Sequence, residues 1–158
     1  MGMGTAASSA YVIEYEELKK LCPEAIENIE NESFFNYIGW RNIARWLAWG
    51  SPAELTEAII DAFMEEAGED LSTEFAQDQA ETYLKRYETH IQKLENDFKV
   101  ATGLELGFAE YDCDSGDRHD DPGDKDGCIF CVEGMTQLTP AGEKFKGIVT
   151  MRFWTQYC

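Results

Sequence analysis

The stretch Leu94-Glu95-Asn96-Asp97-Phe98-Lys99-Val100-Ala101-Thr102-Gly103-Leu104-Glu105-Leu106-Gly107-Phe108-Ala109-Glu110-Tyr111 changes its period in the middle. Before Thr102, Leu94 and Phe98 continue a three- and four-residue spacing that runs upstream through Ile91, Tyr87, Leu84, Phe75 and Leu71. That spacing lines one face of a helix, predicted from about Ser72 to Val100 with one wide gap at Gln79 where a break could fall. Glu81 with Lys85 and Glu95 with Lys99 are supporting pairs one helical turn apart. After Gly103 the apolar residues alternate, which is the period of a strand. The fold class that follows is α+β with the helices first, the long helix covering the apolar face of a small sheet.

Working outward, residues 11–158 read as one domain, with 11–101 mainly helical and 102–158 mainly β. Tyr11-Val12-Ile13 predicts a short strand, and Glu14–Leu21 a helical turn. Pro23 suits the first position of a helix reaching Glu30. Ser33 is placed to cap an aromatic helix containing Phe34, Phe35, Tyr37, Trp40, Trp46 and Trp49, ended by Gly50. Its apolar residues fall on two sides, which suits central burial or a homo-oligomer contact through 33–49. Ser51-Pro52-Ala53-Glu54 has the form of a capping box for a helix reaching Ala67, with Gly68 as its C-cap. Leu104–Tyr111, Cys128–Leu138 and Gly147–Tyr157 predict a three-stranded antiparallel meander, with a turn at Thr139-Pro140-Ala141-Gly142. Met1–Ala10, small and polar, reads as a disordered tail or tag and lacks the charged and apolar regions of a secretory signal.

The 158 residues carry 31 Asp+Glu against 13 Lys+Arg, a formal charge of −18, while 44% hydrophobic content excludes a disordered chain. Direct nucleic-acid binding and anionic membranes need Lys and Arg and are excluded; a basic protein or a cation is the expected partner. No apolar run is long enough to span a bilayer. With five cysteines and no export signal, the thiols read as reduced and the chain as cytoplasmic.

The charge is unevenly spread. Between Arg45 and Lys85 there is no Lys, Arg or His, but there are ten acids: Glu54, Glu57, Asp61, Glu65, Glu66, Glu69, Asp70, Glu74, Asp78 and Glu81. On the helix from Pro52, a step of about 100° per residue puts Glu54, Glu57, Asp61 and Glu65 on one side and Leu55, Ile59 and Phe63 on the other. Like charges one turn apart cost a few tenths of a kcal/mol, and Glu65 and Glu66 oppose the helix dipole at its C-terminal end. Local helix physics therefore does not ask for this ladder. A solvated face or adaptation to high salt would account for it without a partner. The functional expectation is that Glu54, Glu57, Asp61, Glu65, Glu66, Glu69 and Asp70 bind a basic protein, such as a nucleic-acid-binding one. In charge and size alone, and in no motif, the chain resembles the small acidic DNA-mimic inhibitors that phages use against host nucleases. That resemblance implies a nucleic-acid-mimicking, anti-defence role without enzymatic activity.

The second concentration is the loop 112–126, whose Asp112, Asp114, Asp117, Asp121, Asp124 and Asp126 are hard oxygen donors suited to Ca2+ or another divalent cation. Asp124, Asp126, Gly127, Ile129 and Glu133 match an EF-hand loop in spacing, but Pro122 stands at the first ligand position and a strand follows where a helix should. Cys113, His119, Cys128 and Cys131 can be aligned as a zinc set, yet Cys128 and Cys131 sit in a predicted strand and point to opposite faces. Catalytic residues are not nominated. A metal- or Cys/His-dependent hydrolase would have to use Cys113 and His119, and no cofactor is otherwise required.

Overall fold

A computed structural model describes residues 5–68, 72–111, 124–133 and 148–157. Among these residues the fold is α+β, with five helices and one four-stranded antiparallel sheet. β1 (Thr5–Ile13) leads into α1 (Tyr15–Leu21), α2 (Pro23–Glu30), α3 (Phe35–Trp49), α4 (Ala53–Ala67) and α5 (Thr73–Thr102). β2 (Glu105–Glu110), β3 (Cys128–Glu133) and β4 (Val149–Tyr157) follow.

The strands lie in the order β2-β3-β1-β4, so the expected three-stranded meander is opened by an N-terminal strand. β1 runs antiparallel to β4 along its whole length, from Thr5 opposite Tyr157 to Ile13 opposite Val149, and touches β3 at Tyr11 and Val12. Thr5–Ala10, expected to be tail, is therefore strand. Its small and hydroxylated residues give little alternation to read, and β4 supplies the pairing. Alternate residues then separate cleanly. Ile13, Leu106, Cys128, Phe130, Val132 and Val149 face the helices, while Val12, Ile129 and Tyr111 form a second small cluster on the other side.

The helix boundaries follow the punctuation. Pro23 opens α2, and Gly50, Gly68 and Gly103 cap α3, α4 and α5, each at positive φ. Ser72 caps α5, its Oγ accepting from Phe75 N–H at 3.2 Å. The long helix is unbroken over 30 residues. Its apparent gap is filled by Ala76 and Ala80, both fully buried, while Phe75 is left 45% exposed. Small residues at these positions let α4 pack close, which an apolar-spacing count cannot register.

α3 departs most from expectation. Its cap is not Ser33 but Phe34, in the left-handed conformation at φ 66°. The helix is also kinked at Gly39 (φ 66°, ψ 168°), a region open essentially to glycine alone. The kink sets Trp40, Ile43 and Ala44 into the core between α4 and strands β2 and β3. Ile38, Trp40, Ile43 and Ala44 of the aromatic helix are thus spent inside the monomer, while Tyr37 is left exposed. Trp40 meets Phe130 at 5.1 Å, Phe35 at 5.7 Å and Tyr15 at 5.9 Å between ring centroids, all but one of these contacts near-perpendicular, with the Tyr15 pair at 67°.

A Cβ at Gly39 would meet nothing within 4 Å, so only the backbone conformation opposes substitution. Gly39→Ala is expected to lower unfolding stability by about 1–3 kcal/mol. A urea titration that leaves the midpoint unchanged would show that the kink is not required.

Candidate functional site

α4 has the two faces its spacing predicts. Leu55, Ile59 and Ala62 are buried against α3 and α5, and Glu54, Glu57, Asp61, Glu65 and Glu66 are exposed. Glu69 and Asp70 lie outside the described residues.

The ladder is not uniform. At its N-terminal end Glu54 Oε2 lies 3.5 Å from Arg45 Nε. Glu54 thus turns to α3 and the expected capping box does not form: the N-cap is Pro52, without a side-chain hydrogen bond, and Ser51 Oγ accepts only from Ala53 N–H at 3.4 Å, two residues on. At the C-terminal end Glu66 Oε1 accepts a hydrogen bond from the Tyr37 hydroxyl at 2.8 Å. That bond, together with the Glu66 and Glu65 charges, holds the Tyr37 phenol above its ordinary pKa and therefore protonated. Between the ends, Glu57, Asp61 and Glu65 have no ion pair or hydrogen bond among the described residues. These three form the uncompensated part.

Two charge clusters were not legible as sites in the sequence. Glu110, its side chain 12% exposed, receives Arg45 Nε at 2.6 Å and Arg41 Nε at 3.2 Å on the same oxygen. Arg41 and Arg45 stand one turn apart on α3, while Glu110 ends β2 some 65 residues later, so only the fold joins them. Glu32, equally buried, receives Arg86 Nη1 at 3.2 Å and meets His90 Nε2 at 2.9 Å. His90 is thereby a tie between α5 and the α2–α3 connection. Beside it Tyr87, fully buried, donates its hydroxyl to the Ser33 carbonyl at 3.0 Å, and burial raises its pKa strongly. A third acidic patch, Glu95, Glu105 and Glu133, gathers at the end of α5 and the β2–β3 edge. There burial and the Glu105 charge raise the Glu95 pKa, and Lys99 turns to Glu105 at 3.6 Å instead of pairing with Glu95.

Of the proposed cation ligands, Asp112, Asp114, Asp117 and Asp121 lie outside the described residues, as do Cys113 and His119. Asp124 and Asp126 belong to a hairpin. Lys125 and Cys128 exchange both backbone hydrogen bonds, at 2.8 and 2.9 Å, across Asp126 and Gly127 at φ 50° and 86°. This is the Asp-Gly two-residue turn that suits strand twist. Asp124 accepts from Gly127 N–H at 3.4 Å. The EF-hand spacing is therefore not realised: Glu133 sits at the far end of β3, about 16 Å along the strand from Cys128. Among the described residues no three His, Cys, Asp or Glu side chains could hold a metal ion together.

Cys128 and Cys131 point to opposite faces of β3, as their spacing requires, which removes the zinc pair. Burial pushes the Cys22 and Cys131 thiols up to about 11 and raises Cys128 well above its ordinary value. Such thiols are protonated near neutral pH and poor nucleophiles.

Two outcomes follow from these environments. Removing the charge shared by Arg41 and Arg45, in Glu110→Gln, should cost about 1–2 kcal/mol in urea unfolding. Because the folded chain holds the thiol protons more tightly than the unfolded chain, the stability tied to Cys22 and Cys131 is complete below about pH 9 and falls as pH rises through about 11. Alkylation of Cys22 and Cys128 by iodoacetamide at pH 8, followed residue by residue with peptide mass mapping, should accordingly be far slower in the folded protein than in urea; equal rates at these two would contradict the burial.

No family model, curated protein or solved structure matches this chain.

Proposed function

We propose that the protein acts by binding a basic protein partner through the carboxylate face of α4, in the manner of a nucleic-acid mimic that occupies a cationic groove. The observation that carries this reading is the trio Glu57, Asp61 and Glu65: exposed, one turn apart, opposite a buried face, and without a cation among the described residues. Glu74, Asp78 and Glu81, exposed on the adjoining α5, enlarge the field. Among the described residues no helix is long and apolar enough to cross a membrane, which agrees with a partner met in water.

Magnitudes refine the kind of mimicry. From Glu57 to Glu65 the helix advances about 12 Å with three uncompensated carboxylates, close to one charge per 6 Å. One nucleic-acid strand carries a phosphate about every 3.4 Å, and a duplex twice that density. The ladder is closer to a single backbone track than to both. Steering by such a surface gives fast, salt-sensitive association with little demand for shape.

A Lys/Arg-rich peptide followed by fluorescence anisotropy supplies the test, with net charge controlled. Reversal of Glu57, Asp61 and Glu65 to Lys should weaken binding at least about tenfold, while the same reversal at exposed Glu16, Glu24 and Glu133 should weaken it much less. Equal losses would reduce the effect to net charge and end the proposal. Binding that does not weaken as salt is raised would do the same.

A further inference from the structure

We propose that the cavity where the α2–α3 connection meets the end of α4 receives an arginine side chain of the basic partner, its guanidinium stacked on Tyr37 and paired with Glu66. This rests on the partner-binding reading above and adds which side chain is recognised and where it lodges.

The cavity holds about 300 Å3 and is lined by Glu30, Glu32, Phe34, Phe35, Tyr37 and Glu66 among others. Rings and carboxylates together suit a flat cation, which gains from an aromatic face and from two parallel hydrogen bonds to one carboxylate. The adjoining surface already lodges one arginine of its own chain in this way. The Arg86 guanidinium lies 5.1 Å from the Tyr83 ring centroid while its Nη1 reaches Glu32 at 3.2 Å. Phe34 joins that arrangement to the cavity, its ring 5.1 Å from Tyr83 and 6.5 Å from Tyr37.

On the Tyr37 side the ring and the carboxylate are present and the internal cation is not. Glu32 is matched by Arg86 and His90, and Glu30 lies 3.7 Å from Lys19. Glu66, among the described residues, has the Tyr37 hydroxyl alone. That one hydrogen bond fixes the carboxylate beside the ring and leaves acceptor sites for an outside donor. Tyr37 remains 47% exposed, an open face for such a tip. A lysine would bring the charge without the flat stack or the paired hydrogen bonds, so the site discriminates arginine from lysine.

The test compares fluorescently labelled oligo-arginine and oligo-lysine peptides of equal length at physiological salt. The intact protein should bind the arginine peptide about fivefold more tightly or better. Tyr37→Ala should bring the ratio toward one while barely changing lysine-peptide affinity, and Glu66→Gln, which also removes one charge from the α4 face, should weaken both peptides but the arginine peptide more, again bringing the ratio toward one. Should Tyr37→Ala lower the thermal midpoint, Tyr37→Leu keeps an apolar contact for Phe34 and removes only the aromatic face. A ratio near one in the intact protein, or a ratio that survives these substitutions, overturns the arginine site while leaving α4 as the binding face. If neither peptide binds, the partner-binding reading falls, and this site with it.

Discussion

The packing of Trp40 against Phe130 joins the helical layer to the sheet, and the kink at Gly39 makes it possible. A straight α3 would rotate its N-terminal turn relative to Trp40, and Phe35 and Trp40 could not both reach the ring cluster that includes Tyr15 and Phe130. The same placement brings Arg41 and Arg45 onto Glu110. It also closes the Asp126-Gly127 turn against the helix, since a Cβ on Gly127 would lie 3.1 Å from Arg41 side-chain atoms. Side chains on one helix thus fix the sheet edge, the hairpin and the start of α4.

Phe34 is the counterpart on the other side of the kink. A bulky residue at positive φ is costly, and here the ring repays it by touching Tyr37, Phe63 and Tyr83 at once. That hub sets α4 beside α5 and leaves Tyr37 next to Glu66. The acidic face of α4 and the aromatic cavity at its end are consequences of one packing arrangement. Arg45 belongs to both systems: it neutralises part of Glu110 and draws on Glu54, leaving the exposed middle of the ladder as the concentrated charge.

Much of the architecture was legible because local rules decide it. Pro23, Gly50, Gly68 and Ser72 act through backbone geometry within a turn, and the helices they bound agree with their placement. The two faces of α4 follow from a spacing of 3.6 residues. Sheet order was not legible: Thr5–Ala10 carries little pattern of its own and becomes a strand only because β4 lies beside it. The end of the Asp-rich stretch follows the same rule. At Asp126-Gly127 the residue pair that suits a cation loop also suits a hairpin, and the paired strands choose the hairpin.

The sequence by itself determined that this is an α+β chain with a strongly negative helical face, since period and net charge are sums over neighbours along the chain. Tertiary structure alone decided which of those charges remain uncompensated. Arg45 reaches Glu54, Tyr37 reaches Glu66, and the pairs of Glu32 and Glu110 span more than fifty residues. Compensation depends on distance in space, which falls to a few ångströms only after the chain has folded. What remains, Glu57, Asp61 and Glu65 with an aromatic cavity at their end, is a narrower surface than the acidic run suggests.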